Sequence, residues 1–552
     1  MKISLKSRIV SVFAVTAIAG TVMVGAPTVA SATPQCATAN FVTSCAGVGA
    51  DGAPYTFIAP ANFNGTVFVY SHGLRPAIAI PATLGVPLGF GGAVPVSNAA
   101  EPAPRAAEGD MSVITKLVGQ GYGVAGSGFS RQGVNATEAL AANKELIATF
   151  KTKFPTTKTV IAWGQSLGAL HAQMLAEKNP ELVDGVILGC PAANPQNALM
   201  AFFGDSLYGF KALFDPTIKV GGYSTDPVIR QQEQLLNIQK ILVVLGKLGA
   251  EIANPVAAST WPDTASPAGK ALAAAGIPAR SALLTVGLMA GAGTRSENVD
   301  GTSAPSAATA ETYPLAIAPA LAVLQNMGKI LNYGTFLIAD GELLAGGKVY
   351  DNTATDYAAR VAADADLFGF ALSGNTAVAA ILGAINATPR EKADPAALAK
   401  VPALIGLSGK IAKPTIVFQA ENDPFVPAAI VQWYNDSYVE QYAAEKMKAM
   451  EEAKKNRNYV APKNNLITLW AKTGAKYSTF TATGAPNLSA KAGPGTGHCL
   501  WTSAQWLAAA DLMLATLKDD KRPLGGKIAT AARKVGLSYD NKFQVPAFKA
   551  LG

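Results

Sequence analysis

The 552-residue chain is 49% hydrophobic, 15% charged and carries 53 glycines, so it has enough apolar sequence for a large domain with an insertion, or for two domains, and too little charge to stay disordered. Its formal charge of +8 comes without an arginine-rich patch interleaved with aromatics, which argues against nucleic acid as a partner. Three histidines and no CxxC pair exclude a histidine-rich metal centre, and no pattern in the chain calls for a cofactor.

Lys2, Lys6 and Arg8 precede an apolar stretch over residues 9–24. Pro27 breaks the stretch, and Ala30-Ser31-Ala32 supplies a small-x-small cleavage site. The competing reading is a membrane anchor, for which the stretch is short. Residues 1–32 are therefore expected to be a signal peptide cleaved near Ala32, leaving a secreted, extracellular chain with no stable membrane anchor. Cleavage takes three of the 45 basic residues and lowers the formal charge to +5 against 37 acidic ones. Four cysteines in an exported chain point to disulfides. Cys36 and Cys45 are close enough in sequence to staple the mature N-terminus, which leaves Cys190 and Cys499.

Residues 54–60 (PYTFIAP) and 66–70 (TVFVY) are β-branched and aromatic runs bounded by Pro, Asn and Gly, and read as strands. A Gly/Pro/Ala-rich loop follows from Arg75 to about Arg105. A short helix is expected over 111–119, a strand over 121–125 and a helix over 136–150. An apolar strand over 157–163, a helix over 167–178 and a strand over 182–188 come next. Such alternation predicts an α/β fold built on a mostly parallel, doubly wound sheet. The rhythm stops after Cys190, and residues 192–410 are alanine-rich and mainly helical. It resumes with a strand over 414–419, a charged helix over 429–455, a strand over 465–471 and a helix over 503–517. The expected organisation is a catalytic sheet domain, 33–191 and 411–521, split by a helical cap insertion, 192–410. A basic tail, 522–552, follows.

Gly164-Gln165-Ser166-Leu167-Gly168 matches G-x-S-x-G, a pattern that glycine-rich chains produce by chance. Its placement is more specific, because an apolar strand runs into it and a helix leaves it. A sharp strand–turn–helix lifts a serine above the sheet edge, and the small glycines let the turn close. The plainer alternative is an ordinary βα turn with a surface serine. His72-Gly73-Leu74 follows the strand TVFVY. Asp423 lies in Gln419-Ala420-Glu421-Asn422-Asp423-Pro424, after the strand PTIVFQ, with Glu421 as rival and an Asx turn as the bland reading. His498 lies in Gly493-Pro494-Gly495-Thr496-Gly497-His498-Cys499. His171, five residues after Ser166 on the following helix, competes with it and is expected to be a packed core histidine.

In this order of parts the chain resembles the α/β-hydrolase superfamily over roughly residues 50–200 and 410–520. The resemblance implies a Ser166–His498–Asp423 triad. The backbone N–H groups of Leu167 and Leu74 would hold an oxyanion, and His72 and Gly73 would shape the oxyanion loop. Serine needs histidine to accept its proton, and the carboxylate fixes the imidazole tautomer. Three readings stand: an esterase acting on small-molecule or polymeric esters, a secreted serine peptidase of the same fold, and a catalytically silent binding protein. The complete set of parts disfavours the last. No acidic cluster suited to a substrate amino terminus stands out, which tilts the choice toward esters. Cys190 and Cys499 are expected to be joined at the sheet edge where these loops meet, the alternative being two buried thiols. The oligomeric state is not legible.

Overall fold

The computed structural model describes residues 33–545 apart from 86–91, 108, 110–111, 193–197, 254–260, 302–317, 370, 457–459, 483–485 and 541. The expected signal peptide, 1–32, lies outside the described residues, as do the last seven positions of the expected tail, 546–552.

One nine-stranded sheet organises the chain, in the order β1-β2-β3-β5-β4-β6-β7-β8-β9. The strands are β1 Gln35–Ala39, β2 Val42–Val48, β3 Pro54–Pro60, β4 Thr66–Ser71, β5 Gly123–Ser127, β6 Thr159–Gln165, β7 Gly185–Gly189, β8 Thr415–Ala420 and β9 Leu466–Ala471. Strands β1 to β3 form an antiparallel edge joined to β5, and every pair from β5 through β9 is parallel. The sheet is mostly parallel and doubly wound, as the strand–helix alternation predicts.

The central strands read as unbroken apolar runs because helices cover both faces. Along β4, Val67 and Val69 pack with Leu146, Phe150 and Leu175, which come from helices Ala136–Lys153 and Leu167–Lys178. Phe68 and Tyr70 point the other way, into a core with Leu117, Trp506 and Met513 from helices Ser112–Gly119 and Ser503–Lys518. The same alternation splits Val160 and Ala162 from Ile161 and Trp163 on β6.

Two segments differ from the sequence reading. Residues 182–184 do not extend β7: Pro180–Leu182 closes a 3-10 turn and the strand begins at Gly185. Beyond 521, the segment read from sequence only as a basic tail contains a helix and packs on the sheet domain. Helix Gly525–Lys534 buries Ile528 and Ala532 in the second core, and Ser538 exchanges backbone hydrogen bonds with Trp470 at 2.7 and 2.8 Å. Phe543 packs on Trp470, and this segment covers the outer edge of β9, where unpaired backbone groups would otherwise face solvent.

The helical segment enters after β7 and returns to β8. Its helices Ala198–Leu213, Pro227–Ala253, Ala279–Ala290, Ala318–Ala345 and Asn375–Ala387 share one core, with Phe202, Tyr208, Val286, Ile330 and Ile381 fully buried. That core also takes in Leu170 and Met174 from the helix after β6, and Phe425 and Val426 from the loop after β8. The helical segment therefore sits over the carboxyl ends of the parallel strands. Among the described residues no helix is long and apolar enough to cross a membrane.

Candidate active site

Ser166 sits between β6 and helix Leu167–Lys178 with φ 54° and ψ −124°, a conformation that L-residues rarely adopt. The turn is held on both sides. The Ser166 N–H donates to the Gly189 carbonyl at 2.9 Å, and the Ser166 carbonyl accepts from Ala192 N–H at 3.1 Å. The glycines of the motif have a steric reason: a Cβ on Gly164 would lie 2.2 Å from the Gly168 carbonyl oxygen, and one on Gly168 would lie 2.0 Å from that of Ser71. Only glycine lets strand, turn and oxyanion loop approach this closely.

The sequence-derived residues meet here. His498 Nε2 lies 2.8 Å from Ser166 Oγ, and His498 Nδ1 lies 2.8 Å from Asp423 Oδ2. The other carboxylate oxygen, Oδ1, accepts from the N–H groups of Phe425 and Val426, both at 2.9 Å, and Gln419 Nε2 donates to Oδ2 at 3.3 Å. Asp423 and Ser166 are buried, and Phe425 stacks edge-on to the imidazole at 5.1 Å between centroids. A carboxylate only accepts, so Nδ1 carries the proton and Nε2 faces the serine hydroxyl as an acceptor. The arrangement can move a proton from Oγ to Nε2.

The acid and base loops are tied to each other. Asn422 N–H donates to Gly495 O at 3.0 Å and Gly497 N–H to Asn422 O at 3.2 Å. From the insertion, Glu297 O accepts from Gly493 N–H at 3.0 Å, and Asn298 Nδ2 donates to Ala490 O at 2.5 Å. Glu421, the rival acid, is turned away and accepts from Thr473 N–H and Oγ1 at 2.7 and 3.0 Å. Cys190 and Cys499 are joined, with Cα atoms 5.5 Å apart, so the residue after His498 is anchored to the end of β7. Cys36 and Cys45 face each other across β1 and β2 and are also joined.

His72 and His171 are buried outside this chain of bonds. His72 Nδ1 approaches the Gly73 carbonyl at 2.7 Å, and its ring lies on Phe129. Burial, helped by the Arg75 charge, lowers its pKa to about 4. His171 meets the edge of the same Phe129, and burial lowers its pKa to about 3, with the His72 charge adding to the effect. Both are neutral packing groups at neutral pH, as expected for His171.

Leu74 and Leu167 flank Ser166 in a cavity of about 40 Å³ with almost wholly apolar walls, including Leu199, Met200, Phe203 and Val426. Among the described residues, neither the Leu74 nor the Leu167 N–H donates to another protein group, which leaves both for a ligand oxygen. Leu74 and Leu337 also wall a second cavity of about 140 Å³, lined by Arg75, Arg131, Arg230 and Asp340. Sequence reasoning missed this second cavity. Its residues come from four separate stretches, and none carries a local motif.

A family model described as "Serine aminopeptidase, S33" matches residues 112–259, a stretch that includes the elbow but neither Asp423 nor His498. No curated protein matches the chain. Similar solved structures include feruloyl esterase B from Aspergillus oryzae, at 11% identity and TM-score 0.34, covering 87% of this chain and 82% of that one. The rice cell wall degrading esterase LipA from Xanthomonas oryzae is similar at 13% identity and TM-score 0.31, over 87% of this chain and 90% of that one. Tannin acyl hydrolase from Aspergillus niger is similar at 13% identity and TM-score 0.32, over 90% and 83%. Sheet order, the elbow after β6 and the family model matched over residues 112–259 agree on one classification: the chain has the α/β-hydrolase fold.

Proposed function

We propose that the protein is a secreted serine hydrolase that cleaves carboxylic esters through an acyl-enzyme. The observation that carries this reading is the unbroken hydrogen-bonded line from Ser166 through His498 to Asp423, opening on an apolar cavity. Oγ attacks the ester carbonyl as Nε2 takes its proton, and the N–H groups of Leu74 and Leu167 receive the oxyanion. One such donor is typically worth about 10²–10³ in rate. His498 then returns the proton to the departing alcohol. Water, deprotonated by the same nitrogen, releases the carboxylic acid and restores Ser166.

The description of the matched family model raises an aminopeptidase as a second reading. Such an enzyme must hold a substrate ammonium group near the scissile bond. The cavity at Ser166 is apolar, and the one beside it sets Arg75, Arg131 and Arg230 against Asp340, a net positive lining that disfavours an ammonium. Esters fit this setting better. Export is supported by the N-terminal sequence pattern and by the two disulfides.

The test is turnover of p-nitrophenyl acetate and butyrate beside aminoacyl p-nitroanilides, for wild type and Ser166→Ala. Ester turnover with inert anilides, lost by several orders of magnitude in the variant, is expected. Anilide turnover exceeding ester turnover would replace the reading with the peptidase. Ester turnover surviving in Ser166→Ala would remove the serine from the mechanism.

A further inference from the structure

The arginine cavity is not needed for the proton transfers above, yet it shares two walls, Leu74 and Leu337, with the cavity at Ser166. Its charges do not balance internally. Arg75 pairs with Glu101 at 2.9 Å, and Glu101 is also held by Arg105 at 2.8 Å. Arg131 pairs with Asp340, whose second oxygen accepts from Val134 N–H at 2.5 Å. Arg230, on helix Pro227–Ala253, has no ion pair among the described residues, and its Nη1 is buried without a hydrogen-bond partner. A buried guanidinium N–H left unpaired costs free energy, and a cationic cavity with one unsatisfied donor is complementary to an anionic oxygen.

We propose that this cavity is an acyl-side subsite that takes a carboxylate, so that the preferred substrates are esters whose acyl chain ends in a carboxylate, bound by Arg230. The inference rests on the esterase reading and names its substrate class. The side of the ester follows from the placement of the loops. The departing alcohol collects its proton from His498 Nε2, which belongs to the loop after β9. Among the described residues, none of that loop or of the acid loop lines the arginine cavity, whose walls come from 74–78, 131–133, 230–234 and 333–343. The group reaching it past Leu74 is therefore the acyl chain. Its methylenes cross the apolar cavity, and its terminal carboxylate meets Arg230, with Arg131 and Arg75 adding field from their paired positions. Arginine suits this task because its planar fork binds a carboxylate through two parallel N–H donors.

The experiment compares p-nitrophenyl hemiesters of glutarate, adipate and suberate with the same compounds capped as neutral methyl esters. Wild type should show a kcat/KM ratio of at least tenfold in favour of the free carboxylate at one chain length. The ratio should fall toward one in Arg230→Gln and recover in part in Arg230→Lys. A wild-type ratio near one at every length, or a ratio unchanged in Arg230→Gln, overturns the subsite. A second arm separates this from the hydrolysis reading. Calorimetric titration of Ser166→Ala with monomethyl adipate should show binding that is lost when Arg230→Gln is added. Arg230-dependent binding without turnover of any ester by wild type would keep the subsite and sink the esterase. Turnover of neutral esters with no carboxylate preference, and no such binding, would sink the subsite alone.

Discussion

Asp423→Asn offers the sharpest test of the hydrogen-bonded line, because it changes one group and almost no volume. The amide oxygen can keep the two 2.9 Å bonds from Phe425 and Val426 N–H, so the loop should hold its shape. At the Oδ2 position an NH₂ would then face two donors, His498 Nδ1 and Gln419 Nε2. Gln419 cannot turn its amide round without giving up its 3.0 Å bond to Val426 O. At least one hydrogen bond to a carboxylate oxygen is lost, which costs about 1.5–3 kcal/mol of stability. The larger effect is on the tautomer. Nδ1 must now accept, so Nε2 carries the proton and faces Ser166 Oγ as a donor, unable to act as a base. A loss of about 10⁴ in kcat is expected, or about 5 kcal/mol in barrier. The assay is p-nitrophenyl butyrate hydrolysis with urea unfolding followed in parallel. Glu421→Gln, which disturbs only the Thr473 contacts, should stay within about threefold by the same tautomer argument. A kcat within tenfold of wild type in folded Asp423→Asn, or a larger loss in Glu421→Gln, would refute the reasoning.

Three further outcomes are expected. His72 and His171 are held neutral at about 4 and 3, below the unfolded value near 6.5, so their contribution to stability is complete above pH ~6.5 and drains away as pH falls toward those values. Each adds a slope of up to about 1.4 kcal/mol per pH unit, and His171→Leu should flatten the dependence of unfolding free energy between pH 6 and 5; an unchanged slope would contradict a buried neutral ring. Replacing both Cys190 and Cys499 by Ala should lower stability by about 2–5 kcal/mol and reduce kcat more than the Cys36/Cys45 pair does, because only the first pair anchors the residue after His498. Equal kcat losses in the two double variants would argue against that anchoring. Phe203→Ala removes a ring from the wall beside Ser166 that also packs on Phe425 at 5.3 Å, and should shift ester preference toward bulkier acyl groups; unchanged selectivity would count against the insertion as a cap.

What the sequence disclosed follows from which interactions are local. The elbow was legible because strand, turn and helix are consecutive, and helix Leu167–Lys178 has the expected bounds. Strands β6, β8 and β9 shift by one or two residues at their ends, where hydrogen bonding to neighbours decides. Strand β1 escaped because all five of its residues are exposed, leaving no apolar alternation to see. Helix Gly525–Lys534 escaped because Lys and Arg dominate its surface while Ile528 and Ala532 alone make the buried contact. Asp423 and His498 were readable from loops that follow predicted strands. The arginine cavity was not, since its partners converge only after the insertion packs on the sheet.

The ties between the insertion and the histidine loop, together with the split sheet, impose an order on assembly. Ser166 and His498 are 332 residues apart in sequence, and the disulfide beside His498 spans 309. At about 5–20 residues per second, the ribosome makes the base roughly 20–70 s after the nucleophile. For that interval the nascent chain holds the serine without its base, and for most of it without Asp423 as well, beside a growing helical segment whose Glu297 and Asn298 have no histidine loop to receive. A chain stopped anywhere inside the insertion carries the motif of a hydrolase and none of its reactivity.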